Sequence, residues 1–166
     1  VWCPSGFFSV GMGSDAEFRM TQRQQRGLSI SLGSDGAFDA TPADNMRAAR
    51  HISQSYADPL GSAALLEMQT IGAAKAAGLH DQLGSLEVGK RADLVMRNLH
   101  AAEAHPNINP VHLLAFVLGT GSVDTVLING DIVFAQGRST RVDEASAAWV
   151  ASASVMARAK RLGLRD

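Results

Sequence analysis

Cysteine is almost absent from this chain. Cys3 is the single cysteine among 166 residues, so an internal disulfide bond and a cysteine zinc cluster are both excluded. An excess of charge of one sign is also lacking, because the formal net charge at pH 7 is −1. That balance gives no electrostatic reason to expect nucleic acid or an anionic membrane surface as a partner.

Long apolar runs and a secretion leader are not visible either. No apolar run approaches the ~20 residues that a membrane span needs. The chain does not begin with the charged, apolar and small-residue pattern of a leader, so we expect a cytoplasmic protein. Residue 1 is Val rather than Met, and we expect a fragment or a processed product.

A strand followed by a carboxylate is the most informative stretch that is present. Leu28, Ile30 and Leu32 alternate with small polar residues, which is the period of a strand. Residues 33–36, Gly-Ser-Asp-Gly, follow at once. A carboxylate just past the C-terminal end of a strand is where α/β folds carry their chemistry. The same four residues also suit an ordinary turn, so the residues alone leave both interpretations of Asp35 open.

Caps and glycines predict helices on both sides of this strand. The first prediction covers residues 15–26, after a capping box over 14–17. The second covers 41–56, with Thr41 as N-cap, and the third covers 62–77, ended by Gly78. Apolar residues make up 46% of the chain, so these helices have enough material for a core. Helix and strand in alternation are typical of an α/β barrel or a doubly wound sheet.

The pattern changes at about His80 to tight turns and short strands. Strands are predicted over 94–96, 123–128 and 131–134, with a type I′ hairpin at Asn129-Gly130. A short helix is predicted over 111–118, and a last helix begins at Asp143. We expect Trp149 and the methionines at helical spacing to be core residues rather than cofactor contacts. The last helix has one mainly apolar side, formed by Ala148, Trp149, Ser152, Val155, Met156, Ala159 and Leu162.

Four stretches in this order, residues 32–36, 68–79, 84–94 and 126–133, carry a family resemblance. They are similar to the C-terminal part of the amidohydrolase superfamily, in the branch of cytosine, guanine and related aminohydrolases and triazine hydrolases. The resemblance implies an α/β fold: the C-terminal portion of a (β/α)8 metal-dependent hydrolase barrel plus part of a small β-sandwich. Residues 1–82 would be the last barrel strands and helices, 83–140 the sandwich share, and 141–166 a terminal amphipathic helix.

The resemblance also implies a role for Asp35. In this family the aspartate after the eighth barrel strand binds or faces a divalent metal and handles the proton of the hydrolytic water. Asp35 is therefore expected to be both a catalytic residue and a metal ligand, with zinc preferred to iron. The chemistry is reasonable, because a metal lowers the pKa of bound water towards ~7 and a nearby carboxylate takes up its proton.

The activity implied is that of a metal-dependent hydrolase acting on carbon–nitrogen bonds other than peptide bonds. We expect hydrolytic deamination of a small heterocyclic amine, namely a purine, pyrimidine, pterin or triazine. Two alternatives remain open: a ring-opening or dechlorinating hydrolase on the same scaffold, and a non-catalytic fragment or subunit. The partner of this chain would be a second copy in a homodimer, or the missing N-terminal part of the barrel.

Several features depart from the family pattern. The His-x-His pair is absent, so we expect this stretch alone to be inactive. Residues 2–6, Trp-Cys-Pro-Ser-Gly, keep Cys-Pro but have Trp where the family often has His, and no Asn follows Ser5. Usual substrate recognition by this loop is therefore in doubt. The five histidines, expected to be surface or capping residues rather than ligands, are His51, His80, His100, His105 and His112.

Three other side chains have competing interpretations. Cys3 is not expected to be a nucleophile, because no base is paired with it in the sequence. Asp39 is placed to line the mouth of a pocket. Asp44 is better explained by helix capping.

Overall fold

The computed structural model describes residues 1–11, 19–36, 41–100 and 102–164, apart from the side chains of residues 7–9. Helices fill the first part of these residues, and an antiparallel sheet with a long helix fills the last part. The early helices are α1 (Pro4–Ser9), α2 (Met20–Gln25), α3 (Pro42–Ser55), α4 (Ser62–Gln69) and α5 (Ile71–Ala76).

Two extended segments lie side by side near the start of the chain. Trp2 and Leu32 form a parallel bridge. The Trp2 N–H donates to the Ser31 carbonyl at 2.7 Å, and the Gly33 N–H donates to the Trp2 carbonyl at 2.8 Å. The strand predicted over 28–32 is therefore shortened to one paired residue. The physical reason is that a strand needs a partner along its length, and Leu28, which is 54% exposed, has no such partner among the described residues.

Helix α3 begins where the sequence predicted, directly after the N-cap residue Thr41. The Thr41 hydroxyl accepts the Asp44 N–H at 3.2 Å, and Pro42 occupies the first turn. The helix predicted over 15–26 begins at Met20 among the described residues, and its predicted capping box over 14–17 lies outside them.

The single helix predicted over 62–77 is wrong, because α4 and α5 are separated at Thr70. Thr70 has φ −122° and ψ −106°, and its hydroxyl donates to the Leu66 carbonyl at 2.8 Å. A Cβ built on Gly72 would lie 2.8 Å from the Glu67 carbonyl oxygen, so the break requires a glycine there. The break thus depends on close backbone packing rather than on helix propensity.

One apolar cluster forms the main core between the paired segments, α3, α4 and the chain near residue 115. Leu65, Met68 and Ala49 in this cluster are completely buried. The cation of Arg50 lies 5.2 Å from the ring centre of Phe116, and Arg47 donates to the Phe116 carbonyl at 2.6 Å. The buried members are Trp2, Met20, Ile30, Leu32, Ala43, Met46, Ala49, Ile52, Leu60, Leu65, Met68 and Ala115.

The helix predicted over 111–118 is replaced by α6 (Pro110–His112) and a π-helix over Leu113–Val117. Asn109 caps α6, its side chain accepting the His112 N–H at 3.0 Å. Ala115 joins the main core, whereas Leu113 packs in a second cluster with Ala104 and Leu118. Residues two apart on a helical turn face different sides, so Leu113 and Ala115 reach different clusters.

The segment between α5 and the sheet confirms the predicted run of tight turns. Gly84 has φ +91° and Gly89 has φ +95°, values that glycine adopts without strain. The Arg91 N–H donates to the Gln82 carbonyl at 2.9 Å, which folds the segment back on itself. The Lys90 ammonium donates to the Ser85 hydroxyl at 2.6 Å.

The sheet has four antiparallel strands in the order β1 (Leu94–Arg97), β2 (Val123–Ile128), β3 (Asp131–Ala135) and β4 (Arg138–Ser139). Asn129 (φ +51°) and Gly130 (φ +86°) connect β2 to β3, which confirms the predicted type I′ hairpin. No residue of these four strands is buried, so both faces of the sheet are partly exposed.

The last helix, α7 (Glu144–Arg161), begins at the predicted cap, since the Asp143 carboxylate accepts the Ser146 N–H at 3.1 Å. None of its residues is buried. The prediction that Trp149 is a core residue is therefore wrong, because Trp149 is 74% exposed and no described element covers it. The core prediction is also wrong for Met156, which is 59% exposed, but it is confirmed for the helical methionines Met20, Met46 and Met68.

Among the helices of the described segments, none has both the length and the apolar character that crossing a membrane requires.

Candidate functional site

Asp35 lies three residues beyond the parallel bridge, at the C-terminal end of the extended segment. The bridge itself fixes the preceding backbone, because Gly33 is hydrogen-bonded to Trp2. Asp35 has φ +62°, in the left-handed region that aspartate tolerates better than most residues. Its side chain is exposed. The turn therefore presents a carboxylate to the space beyond the paired segments.

Helix α1 approaches this turn closely. A Cβ built on Gly6 would lie 3.3 Å from the Ser34 carbonyl oxygen and 3.4 Å from the Asp35 Cβ. Gly6 is buried, and the neighbouring Ser5 hydroxyl lies 3.5 Å from the Asn45 side-chain oxygen, to which it donates. The site therefore brings together the α1 start, the Asp35 turn and helix α3.

Cys3 lies on the segment that pairs with the residues before Asp35. Its thiol is not in a disulfide bond and is partly buried. A Cβ built on Gly33 would lie 3.3 Å from the Cys3 sulfur, so the thiol packs against the glycine turn. That Cys3 is not a nucleophile stays a prediction.

The described residues do not assemble a three-ligand metal group around Asp35. All five histidines are exposed, as the sequence predicted. His80 lies 3.7 Å from Asp81, and His112 makes an edge contact with Phe116 at 5.0 Å. Within the described ranges, no group of three His, Cys, Asp or Glu side chains could hold a metal ion. Asp35 is thus a candidate ligand that the described residues do not complete into a three-ligand site.

The other predicted aspartates have different outcomes. Asp44 accepts from the Thr41 hydroxyl at 2.8 Å and from the Arg47 guanidinium at 2.6 Å, which confirms its structural role at the start of α3. The hydrogen bond from Arg47, followed by that from Thr41, lowers the pKa of Asp44. Asp39 lies outside the described residues, so its prediction is not tested.

Sequence reasoning missed two residues of this site. It treated Gly6 only as a departure from the family loop, and it did not single out Asn45. The sequence signal for Asn45 was a polar amide directly before the apolar Met46 on α3. In the structure, Asn45 is only 5% exposed. The signal for Gly6 was weaker, because its closeness to Asp35 depends on the tertiary fold.

A second concave region lies on the sheet. Its basic group, Arg97, donates to the Gly119 carbonyl at 2.9 Å and to the Ser122 hydroxyl at 2.7 Å. Burial lowers the pKa of the Arg97 guanidinium. These bonds tie β1 to the turn before β2, so Arg97 is a structural group. The lining residues are Met96, Arg97, Asn98, Leu99, His100 and Asp124.

Comparison with known proteins gives a consistent result. Residues 17–133 match the amidohydrolase family. A 5-methylthioadenosine/S-adenosylhomocysteine deaminase from Desulforudis audaxviator is 36% identical over 124 residues, covering 71% of this chain and 29% of that protein. A protein of the same name from Pyrococcus furiosus is 32% identical over 150 residues, covering 87% of this chain and 35% of that protein.

The structural comparison agrees with the sequence comparison. The chain is similar to a zinc-bound adenosine deaminase from Xanthomonas campestris, with a TM-score of 0.83 and 29% identity over 96% of this chain and 37% of the other. The chain thus spans about a third of the length of the relatives that it matches.

Proposed function

Because the chain belongs to the amidohydrolase family, we propose that it forms the C-terminal portion of a (β/α)8 barrel and part of a β-sandwich in a longer hydrolase. The parallel bridge between Trp2 and Leu32 supports adjacent barrel strands. The antiparallel sheet, exposed on both faces, supports an incomplete sandwich. The proposed division is 1–82 for the barrel share, 83–140 for the sandwich share and 141–166 for the terminal helix.

The proposed reaction is hydrolytic deamination of an adenine-type purine. Water adds to the ring carbon that bears the exocyclic amine, a C–O bond replaces the C–N bond, and ammonia leaves. The deaminase names of the relatives support this reaction over ring opening or dechlorination. A cytoplasmic location and a homodimer stay predictions.

A metal site needs several ligands, of which Asp35 is one candidate. Asp35 is one carboxylate, and the described residues offer no three-ligand group around it. The described residues of this chain therefore do not fit a complete metal site. We propose that the complete protein holds a divalent metal, zinc in preference to iron, with its other ligands outside this chain. The zinc-bound relative supports the choice of zinc.

Asp35 carries the proposal. It follows a segment that is paired in parallel with its neighbour, and catalytic residues of barrel enzymes lie at the C-terminal ends of such strands. Its exposed carboxylate is free to approach a substrate placed at this end. We propose that it contributes to metal binding and takes up and returns a proton during hydrolysis.

The test is Asp35→Asn in the complete, zinc-loaded protein, with ammonia release from adenosine and 5-methylthioadenosine as the measurement. Asparagine keeps the left-handed backbone and the shape of the side chain but removes the carboxylate. We expect the turnover rate to fall by about 100-fold to 10,000-fold. The matched control is Asp81→Asn, on a side chain that is 91% exposed.

The outcomes separate the alternatives. Full turnover in Asp35→Asn would contradict the role of Asp35. A wild-type protein that releases no ammonia from these nucleosides, but releases chloride from a chlorinated triazine or gives a ring-opened product, would support the alternative hydrolase. A complete, folded protein with no hydrolytic activity would support the non-catalytic alternative.

A further inference from the structure

The start of helix α1 is held from two sides. On one side, the parallel bridge joins Trp2 to the segment that leads to Asp35. On the other side, the Ser5 hydroxyl donates to Asn45, which is only 5% exposed on α3. Pro4 between them is among the fully buried residues. Gly6 therefore lies in a backbone segment that cannot easily retreat.

The free space beside Gly6 is small and is bounded by the Asp35 turn. A Cβ at position 6 would lie 3.3 Å from the Ser34 carbonyl oxygen, 3.4 Å from the Asp35 Cβ and 3.7 Å from Asp35 Oδ2. The nearest of these atoms belongs to the backbone, so it cannot rotate away as a side chain can. A methyl group at position 6 would have to displace the turn that holds Asp35 by a few tenths of an ångström.

We propose that Gly6 is a positioning residue for Asp35. The absence of a side chain at position 6 sets how closely α1 approaches the turn, and this distance sets where the Asp35 carboxylate lies. The inference rests on the proposed role of Asp35 and adds to it the residue that fixes its position. Gly6 itself donates no catalytic group.

The test is Gly6→Ala in the complete, zinc-loaded protein. We expect kcat for ammonia release to fall about tenfold, while KM changes by less than about threefold, because small displacements of a reacting group act mainly on the chemical step. Gly121→Ala is the matched control, since Gly121 is exposed and a Cβ there meets nothing within 4 Å. Thermal unfolding of both variants is measured to verify that they are equally folded.

A double-mutant cycle identifies the route of the effect. If Gly6 acts through Asp35, Gly6→Ala in the Asp35→Asn background causes little further loss. The same tenfold loss in that background would overturn the proposal, as would unchanged kcat and KM in Gly6→Ala alone. A fall in kcat that matches a loss of folded protein would also overturn it.

Failure of the proposed function is recognised separately, by a wild-type protein that releases no ammonia. In that case the positions of the Asp35 carboxylate in crystals of wild-type and Gly6→Ala protein are compared. A shift of a few tenths of an ångström supports the positioning role, and an unchanged carboxylate overturns it.

Discussion

Two regions of the molecule use similar apolar patterns with opposite results. In the helical region, residues 1–76, the apolar stripes of α3 and α4 meet a common core in which Leu65 and Met68 are completely buried. In the sheet region, formed by β1–β4 and α7, none of the strand or helix residues is buried. An amphipathic pattern therefore marks a face that needs a cover, but it does not say whether the same chain supplies that cover.

The largest expected contrast comes from one substitution made in both regions. Leu65→Ala removes a completely buried side chain and should lower the free energy of unfolding of this chain by about 2–5 kcal/mol. Leu162→Ala, at a position 63% exposed after α7, should change it by less than about 0.5 kcal/mol. Urea denaturation of the two variants measures both values.

A comparable loss in Leu162→Ala would break the comparison, because it would mean that α7 is covered within this chain. The comparison would be sharpened if Leu162→Ala lowered the free energy of unfolding only slightly in the isolated chain but strongly in a longer protein. The cover would then come from residues outside this sequence.

A smaller contrast is expected at the segment that connects the two regions. Gly84 and Gly89 both have positive φ, so alanine at either position costs about 1–2 kcal/mol in backbone strain. Only at Gly84 would a Cβ also meet the Ala74 Cβ at 2.7 Å and the Ile71 Cα at 2.8 Å. Gly84→Ala should therefore be more destabilising than Gly89→Ala by about 1–3 kcal/mol in thermal or urea unfolding.

Equal losses in these two glycine variants would contradict the close packing of the connecting segment on α5. The comparison is informative because both variants carry the same backbone strain.

The smallest effect concerns acid stability. Hydrogen bonds from Arg47 and Thr41 lower the pKa of Asp44 in the folded chain. The unfolded chain then binds more protons, so this stabilisation is complete above the unfolded pKa of about 3.9 and is lost as the pH falls through the folded pKa. Asp44→Asn should flatten the fall in unfolding free energy over that acidic range.

The control for acid stability is Glu87→Gln. Bonds to Ser85 and Lys90 also lower the pKa of Glu87, but its carboxylate is fully exposed and is screened by solvent. Its substitution should flatten the acid profile less than Asp44→Asn does. An equal or larger change would contradict a larger contribution from the hydrogen bonds that Arg47 and Thr41 make to Asp44.

Local chemistry explains which elements could be predicted from sequence. The start of α3 depends on Thr41 and Asp44, three residues apart, and the hairpin depends on Asn129 and Gly130, so both were predicted correctly. The length of the strand near residues 28–32 and the exposure of Trp149 depend on which distant segments pack beside them, and a local pattern does not encode this. The break at Thr70 depends on how Gly72 packs against neighbouring backbone, which no helix pattern encodes.

In the candidate site, too, local sequence signals could be recognised, whereas contacts made by the fold could not. Asp35 was found because its glycine-flanked turn directly follows an apolar alternation and belongs to a stretch that carries the family resemblance. Gly6 was not singled out because 29 positions separate it from Asp35 and only the fold brings them together. That the other metal ligands are supplied by residues outside this sequence stays a prediction, drawn from the lack of a His-x-His pair.

The two tryptophans of the chain also give it an optical label for each region. Trp2 is 3% exposed in the main core, whereas Trp149 is 74% exposed on α7. The indole of Trp2 should emit at shorter wavelength and resist quenching by iodide, and that of Trp149 should emit at longer wavelength and be quenched. Unfolding of the main core would change the emission of Trp2, whereas binding of another segment or protein over α7 would change the emission of Trp149. Fluorescence can therefore follow folding and docking as separate events in the same sample.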